Sequence, residues 1–170
     1  DRKKLNYLSS QEAAIVRSYV LRMHTYNPMS LADIKFSEEA LLNNMNLKEY
    51  SLIADHSLGR ATRRGKGDYG LALSKELQGK HYRAMDVIMH ELSHIATFKF
   101  VDSSDTAGST YGRWRTLYKS KNGTKYLRKM VEHFHGGRSA HTEQLITYYM
   151  SHEKEFVAAM VQYSLLDRKA

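Results

Sequence analysis

Residues 82–100, YRAMDVIMHELSHIATFKF, decide how the chain folds. Apolar side chains recur in this segment every three or four positions, which is the spacing of one buried helix face. They are Met85, Ile88, Met89, Leu92, Ile95 and Ala96. The pentapeptide HELSH, residues 90–94, lies inside the same segment. The segment therefore predicts a helix that packs against a core and also carries a group of polar side chains.

The pentapeptide has the spacing of a metal site. His90 and His94 are four residues apart, so both imidazoles project from one helix face and can reach one metal ion. Glu91 follows the first histidine, where its carboxylate can accept a proton from a water molecule held at the metal. A solvent-facing stripe of His and Glu is the alternative. Because the opposite helix face supplies core packing that holds ligands rigid, the pattern favours a catalytic zinc (Zn2+) site.

A catalytic zinc ion needs a third protein ligand, with water in the fourth position. The downstream candidates are Asp102, Asp105, Glu132, His133, His135, His141, Glu143, Glu153 and Glu155. A third histidine in a short glycine loop directly after the pentapeptide does not fit, because the next histidine is His133. An aspartate in a Gly-Thr-x-Asp-x-x-Tyr-Gly run does not fit either, because Asp105 lies six residues before Tyr111 rather than three.

A third arrangement takes the ligand from a later helix, and residues 148–160, YYMSHEKEFVAAM, match it. The pairing of His90 and His94 with Tyr148-x6-Glu155-Phe-x-Ala resembles the catalytic domain of anthrax lethal factor and the related Pro-Pro endopeptidases, a gluzincin group. The resemblance covers roughly residue 69 to the C-terminus. It implies an α+β, mostly α, zincin-like metalloprotease fold with a small sheet and two metal-bearing helices.

The resemblance also implies roles for the matching residues. Glu155 would be the third zinc ligand, and Tyr148 would assist at the scissile carbonyl. Residues 69–74 would form the strand that lines the substrate cleft. The chain departs from the group at residues 157–159, Val-Ala-Ala, where Ala-Glu-Ala is frequent. The implied activity is that of a zinc metalloendopeptidase, a secreted bacterial toxin or effector protease that acts on a protein of a host or competitor cell.

The residues themselves leave alternatives open in this region. Residues 141–166 predict one or two helices, on which Tyr148, His152 and Glu155 share one face. A phenol on that face can donate to a developing oxyanion. The alternative for Tyr148 is a packed side chain, with Tyr149 as its substitute. The alternative for Glu155 is a helix salt bridge, with Glu153 as the second candidate ligand.

Residues 133–141, HFHGGRSAH, contain three histidines within one short stretch. Gly136 and Gly137 interrupt the spacing that a helical metal site needs, so we expect a flexible loop over the cleft rather than a second metal cluster. A side chain from this stretch, or Asp102, remains a candidate acceptor for the ring N–H of a ligand histidine.

The remaining segments predict a mostly helical chain with a small sheet. Ser9 and Glu12 have the capping-box pattern that begins a helix. The other segments are two shorter helices, a loop rich in glycine and cations, and a strand. Their respective bounds are 37–43, 47–54, 58–68 and 69–74. We expect residues 1–170 to form a single catalytic domain, whose first 60 residues are helical and serve either the catalytic fold or an accessory function.

Composition and length exclude several classes of protein. A chain of 170 residues with 42% hydrophobic and 26% charged residues is typical of one globular, soluble domain. The absence of cysteine excludes disulfide scaffolds, thiol nucleophiles and thiolate zinc sites. No apolar run approaches the roughly 18 residues of a membrane span. The chain begins DRKKL, without an initiator methionine or signal segment, so we expect a processed product or an excised domain.

The charge is strongly positive, with a net charge of +8. Residues 106–131 contain no acid and seven cations, which are Arg113, Arg115, Lys119, Lys121, Lys125, Arg128 and Lys129. Trp114, Tyr118 and Tyr126 lie among them, as in nucleic-acid-binding surfaces. Because Trp114, Leu117 and Tyr118 have helical spacing typical of core, we instead expect a solvated face or one that binds acidic side chains of a protein substrate. The alternative function is a basic module that binds nucleic acid or an acidic protein and has a structural or vestigial metal site.

Overall fold

A computed structural model describes residues 7–26, 58–65, 68–102 and 110–166 of the chain. These residues form six α-helices, one 3-10 helix and a two-stranded sheet. The prediction of an α+β, mostly α chain with a small sheet is therefore confirmed. The helices predicted at 37–43 and 47–54 lie outside the described residues. The chain divides into two compact units, residues 1–99 and 100–170, and the single catalytic domain stays a prediction.

The first unit begins with helix α1, Ser10–Tyr26. The Ser9 hydroxyl accepts a hydrogen bond from the backbone N–H of Glu12 at 3.3 Å, so the helix begins where the capping pattern predicted. Val16 and Tyr19 are buried, whereas Ile15, which has the same apolar character, is exposed.

The sheet is an antiparallel hairpin of β1, Gly59–Gly65, and β2, Asp68–Leu73. The predicted strand at 69–74 is confirmed to within one residue. The predicted loop at 58–68 is wrong, because most of it is β1. Local composition suggested a loop, but the backbone of β1 pairs with β2 and its Arg60 and Arg63 side chains are exposed. The backbone pairing with β2 holds these residues in a strand, so the pairing overrides local preference.

Helix α2, His81–Asp102, follows a short 3-10 helix, Lys75–Leu77, whose first turn is capped by the Ser74 hydroxyl. It contains the whole predicted segment 82–100. All six predicted apolar positions are at most 1% exposed, so the predicted core face is confirmed. α2 is thus the helix that carries the HELSH pentapeptide.

The second unit contains α3, Thr110–Lys119, α4, Gly123–Phe134, α5, Ala140–Met150, and α6, Glu153–Leu166. Their apolar faces meet in one core. Its buried members are Leu127, Val131, Ile146, Tyr149, Phe156, Val157, Ala159, Met160 and Tyr163. Trp114, Leu117 and Tyr118 of α3 pack against this core, which confirms that their helical spacing marks a packed face.

Residues 141–166 form two helices, and the break between them corrects one prediction. The Ser151 hydroxyl and N–H both donate to the carbonyl of Tyr148, which ends α5. The imidazole of His152 accepts a hydrogen bond from the N–H of Lys154 at 3.2 Å at the start of α6. Tyr148, His152 and Glu155 therefore do not share a face of one continuous helix. None of the described helices is long and apolar enough to cross a membrane.

Candidate metal centre

The ionisable side chains of the pentapeptide on α2 are buried. His90, Glu91 and His94 are only 5%, 6% and 8% exposed. The two imidazole rings lie with their centroids 4.9 Å apart and nearly perpendicular. Burial of ionisable groups is unfavourable unless hydrogen bonds or an opposite charge compensate it. A solvent-facing stripe of His and Glu is therefore excluded.

Glu155, in the first turn of α6, joins the two histidines in one group. The ligand atoms of His90, His94 and Glu155 all lie within 4.8 Å of one another. In the described part of the chain, this is the group of three or more potential ligands that could hold a metal ion. Two imidazoles and a carboxylate are a donor set of catalytic zinc sites. Ligand bonds of about 2.0 Å place tetrahedral ligand atoms about 3.3 Å apart, so small side-chain movements would suffice for binding.

The pentapeptide is also anchored from α1. The Tyr19 phenol and the Ser93 hydroxyl form a buried hydrogen bond. Ser93 donates its own proton to the carbonyl of Met89 at 2.8 Å, so Tyr19 is the donor to Ser93. Burial raises the pKa of the Tyr19 phenol, the Ser93 hydrogen bond partly opposes this, and the charge of Asp86 adds to it. The phenol is therefore protonated and fixed as a donor.

The first residue of β1 lies directly against the predicted general base. A Cβ atom on Gly59 would lie 2.5 Å from Cγ1 of Val87 and 3.0 Å from Cγ of Glu91. Only glycine allows the strand to approach α2 this closely. The backbone of β1 thus limits where the side chain of Glu91 can move.

The two adjacent tyrosines at the end of α5 differ in exposure. Tyr148 is 52% exposed, whereas Tyr149 is 3% exposed and belongs to the core of the second unit. Their ring centroids are 5.8 Å apart. The packed alternative therefore applies to Tyr149, whereas the side chain of Tyr148 is exposed to solvent.

Most other acidic candidates for the third ligand are occupied by arginines. Glu153 accepts a hydrogen bond from Arg115 at 3.0 Å. Glu143 pairs with Arg128 and, at 3.3 Å, with Arg138, and these contacts lower the pKa of its carboxyl, the Arg128 hydrogen bond most of all. Glu132 lies 3.8 Å from Arg128. Asp105 and the side chain of Asp102 lie outside the described residues.

The three histidines at 133–141 do not join the metal group. His133 belongs to α4 and His141 to α5, and residues 135–139 connect the helices. Gly136 and Gly137 have φ values of 81° and 125°, which favour glycine, so the predicted chain break is confirmed over this shorter stretch. The ring Nε2 of His135 lies 3.0 Å from the Tyr163 hydroxyl, with which it shares a hydrogen bond.

Sequence reasoning missed two residues that position the site, Tyr19 and Gly59. Tyr19 lies in the helix that the Ser9 and Glu12 pattern predicts, and nothing local shows that its hydroxyl reaches a residue 74 positions away. Gly59 was assigned to a loop, since its close contact with α2 depends on the pairing of β1 with β2.

No protein-family model, curated protein sequence or solved structure matches this chain. The resemblance to the lethal factor group therefore stays a prediction that rests on the two motifs.

Proposed function

We propose that the protein is a zinc-dependent endopeptidase in which His90, His94 and Glu155 bind the metal ion. One observation carries the proposal: these three residues, two from α2 and one from α6, bring their ligand atoms within 4.8 Å. When bound, zinc would polarise the scissile carbonyl and lower the pKa of the attacking water.

Glu91 has the position and surroundings of a general base. It follows the first ligand on α2 and is buried against Gly59. We infer that its carboxylate accepts a proton from the attacking water and delivers it to the leaving amine nitrogen. A purely structural metal site needs no such group, so the presence of Glu91 favours an enzyme over a vestigial site.

Tyr148 and β2 would act on the substrate. The exposed phenol of Tyr148 would donate a hydrogen bond to the oxyanion that develops at the scissile carbonyl. In the described residues, β2 pairs with β1 along one edge, and its other edge would bind an extended peptide by strand addition. The roles of secreted toxin or effector rest on the resemblance alone.

The experiment that tests this proposal is zinc analysis of purified wild type and three variants by mass spectrometry. We expect near-stoichiometric zinc in the wild type and in Glu91→Gln, and its loss in Glu155→Gln. Glu153→Gln is the matched control, since Glu153 has the same side chain but pairs with Arg115. Full zinc retention in Glu155→Gln would reject this ligand set.

Cleavage of an unstructured protein such as casein completes the test. Loss of a general base lowers the rate about 10²- to 10⁴-fold, so Glu91→Gln should hold zinc and be nearly inactive. If the wild type takes up no zinc when it is supplied, the peptidase proposal fails and the basic binding module becomes the leading function.

A further inference from the structure

In the second unit, arginines and lysines differ in whether they form ion pairs. Three of its arginines form ion pairs with glutamates: Arg115 with Glu153, Arg128 with Glu132 and Glu143, and Arg138 with Glu143. Four exposed lysines at the end of α3, in the following turn and on α4 have no ion pair among the described residues. We call these the basic surface: Lys119, Lys121, Lys125 and Lys129.

The two lysines of the basic surface on α4, Lys125 and Lys129, lie on the side of the helix away from the core. Leu127 and Val131 are fully buried, whereas Lys125 and Lys129 are exposed. Tyr126, 51% exposed, lies beside them. A partner could therefore reach the lysines without any rearrangement of the bundle.

Folding does not account for the placement of these lysines. Lys125 and Lys129 are four residues apart on one helix, a spacing at which like charges destabilise the helix. Lys125 also lies in the first turn of α4, where the helix dipole disfavours a cation. A partner that brings carboxylates to this surface would remove both penalties.

The same residues favour an acidic protein segment over a nucleic acid. Trp114 and Tyr118 pack against the core, and the Tyr118 hydroxyl donates to the carbonyl of Met150, so of the three aromatic rings in this region only Tyr126 is exposed enough to stack on a base. The arginines that could read bases or phosphates with two hydrogen bonds are largely bound to glutamates. Lysine is a point charge that pairs with a carboxylate in many orientations.

The spacing of the lysines also suits an extended peptide. Positions four apart on a helix rise about 6 Å along its axis. Alternate residues of an extended strand are about 6.6 Å apart and point to the same side. Acidic residues two positions apart in a strand would therefore meet Lys125 and Lys129 of α4.

We propose that the basic surface binds an acidic segment of a protein, with Asp or Glu at alternate positions. The further assignment of this segment to the substrate rests on the proposed peptidase function. Binding itself can be tested without any cleavage or metal.

The test uses the full chain carrying Glu91→Gln and a fluorescein-labelled (Glu-Ser)6 peptide, with binding followed by anisotropy. The triple variant Lys121→Gln, Lys125→Gln, Lys129→Gln should weaken binding about tenfold, since three exposed charge pairs are lost. Its matched control is Lys75→Gln, Lys80→Gln, Arg83→Gln, which removes the same charge from exposed positions of the first unit. This control should change the Kd by less than about twofold.

Three outcomes would overturn the proposal. Equal weakening by both triple variants would show that only net charge matters. Binding of (Gln-Ser)6 as tight as that of (Glu-Ser)6 would show that carboxylates are not recognised. Displacement of the peptide by duplex DNA at a lower concentration than by unlabelled (Glu-Ser)6 would assign the surface to nucleic acid.

Cleavage measurements separate this proposal from the peptidase proposal. In an active chain, the basic-surface triple variant should keep its zinc and raise KM for a substrate with an acidic segment, and leave a neutral substrate unaffected. Peptide binding without zinc uptake would reject the peptidase proposal and support the proposal that the basic surface binds an acidic segment. Zinc uptake and cleavage without peptide binding would support the peptidase proposal and reject the acidic-segment proposal.

Discussion

Helices α2 and α4 both carry charged or ionisable side chains, but they place them in opposite environments. On α2, His90, Glu91 and His94 are buried together. On α4, Lys125 and Lys129 are exposed, and the inward face is apolar. α4 thus has the usual division of a surface helix, whereas α2 has polar residues where a core would have apolar ones.

This difference shows which polar residues require an explanation in terms of chemistry. Exposed lysines are hydrated, so even those at unfavourable helix positions cost the fold only about 0.3–1 kcal/mol each. Two imidazoles and a carboxylate in a core cost much more, and other elements hold them in place: Tyr19 bonds to Ser93, and β1 begins against Glu91. The burial of these three groups therefore supports the proposed metal site.

The largest change in the free energy of unfolding is expected from a substitution in the apolar core of the second unit. Phe156 is fully buried in the core of the second unit. Phe156→Ala should lower the free energy of unfolding by about 3–5 kcal/mol, because it removes buried area and leaves a cavity. Urea denaturation measures this change. Tyr126→Ala, at an exposed aromatic on α4, should change it by no more than about 0.5 kcal/mol, and similar losses in both variants would mean that Phe156 is not part of the core.

The next largest change in stability is expected from a substitution at the close contact between β1 and α2. Gly59→Ala places a Cβ 2.5 Å from Val87 and 3.0 Å from Glu91, so we expect a loss of about 1–3 kcal/mol in unfolding free energy and slower cleavage. In a Val87→Ala background the same substitution should cost less, because the nearest methyl group is gone. An equal cost in both backgrounds, by urea denaturation, would mean that Val87 is not what excludes the side chain.

The sequence predicted those features that depend only on the spacing of residues within one helix. The apolar positions of α2 and the pair His90–His94 follow from periods of three and four residues. Glu155 could be singled out from Glu153 only by resemblance, because the ion pair that occupies Glu153 involves Arg115, a residue far away in sequence.

The features that sequence could not predict depend on contacts between distant segments. β1 is a strand because β2 pairs with it, although its glycines and arginines suit a loop. The break at residues 151–152 depends on whether Ser151 and His152 bond to the backbone or continue the helix. Both conformations agree with the same apolar period, so the shared face of Tyr148 and Glu155 was wrongly predicted.

A smaller effect is expected from the bond that links α1 to the pentapeptide. Tyr19→Phe removes one buried hydrogen bond and keeps the ring, so unfolding free energy should fall by about 1 kcal/mol. Ser93 still donates to Met89, so zinc content should be unchanged. The control is Tyr82→Phe, since Tyr82 is 50% exposed on the same helix as Ser93. If thermal or urea denaturation showed no difference between the two variants, the hydrogen bond from α1 would not stabilise the helix that carries the pentapeptide.

The smallest effect belongs to the exposed ion pair of the second unit and depends on pH. Arg128 holds the pKa of Glu143 below its ordinary value of 4.5, so the folded state keeps this carboxyl ionised where the unfolded chain begins to bind a proton. The pair therefore stabilises the fold above that ordinary value, and its contribution is lost as the pH falls through the lower folded-state pKa. Arg128→Gln should lower stability near neutral pH.

The difference between wild type and Arg128→Gln should shrink as the pH falls below 4.5 and vanish below the lowered folded-state pKa, where Glu143 is protonated in both proteins. Urea denaturation across an acidic pH series measures it. Arg138→Gln is the matched control: Arg138 also contacts Glu143 but its side chain is 75% exposed, so water screens the pair and its effect should be smaller. A difference that grows on acidification would show that Glu143 does not take its lowered pKa from Arg128. The contrast with α2 would then extend only to burial, since pairing with arginine would no longer explain how the second unit holds its carboxylates.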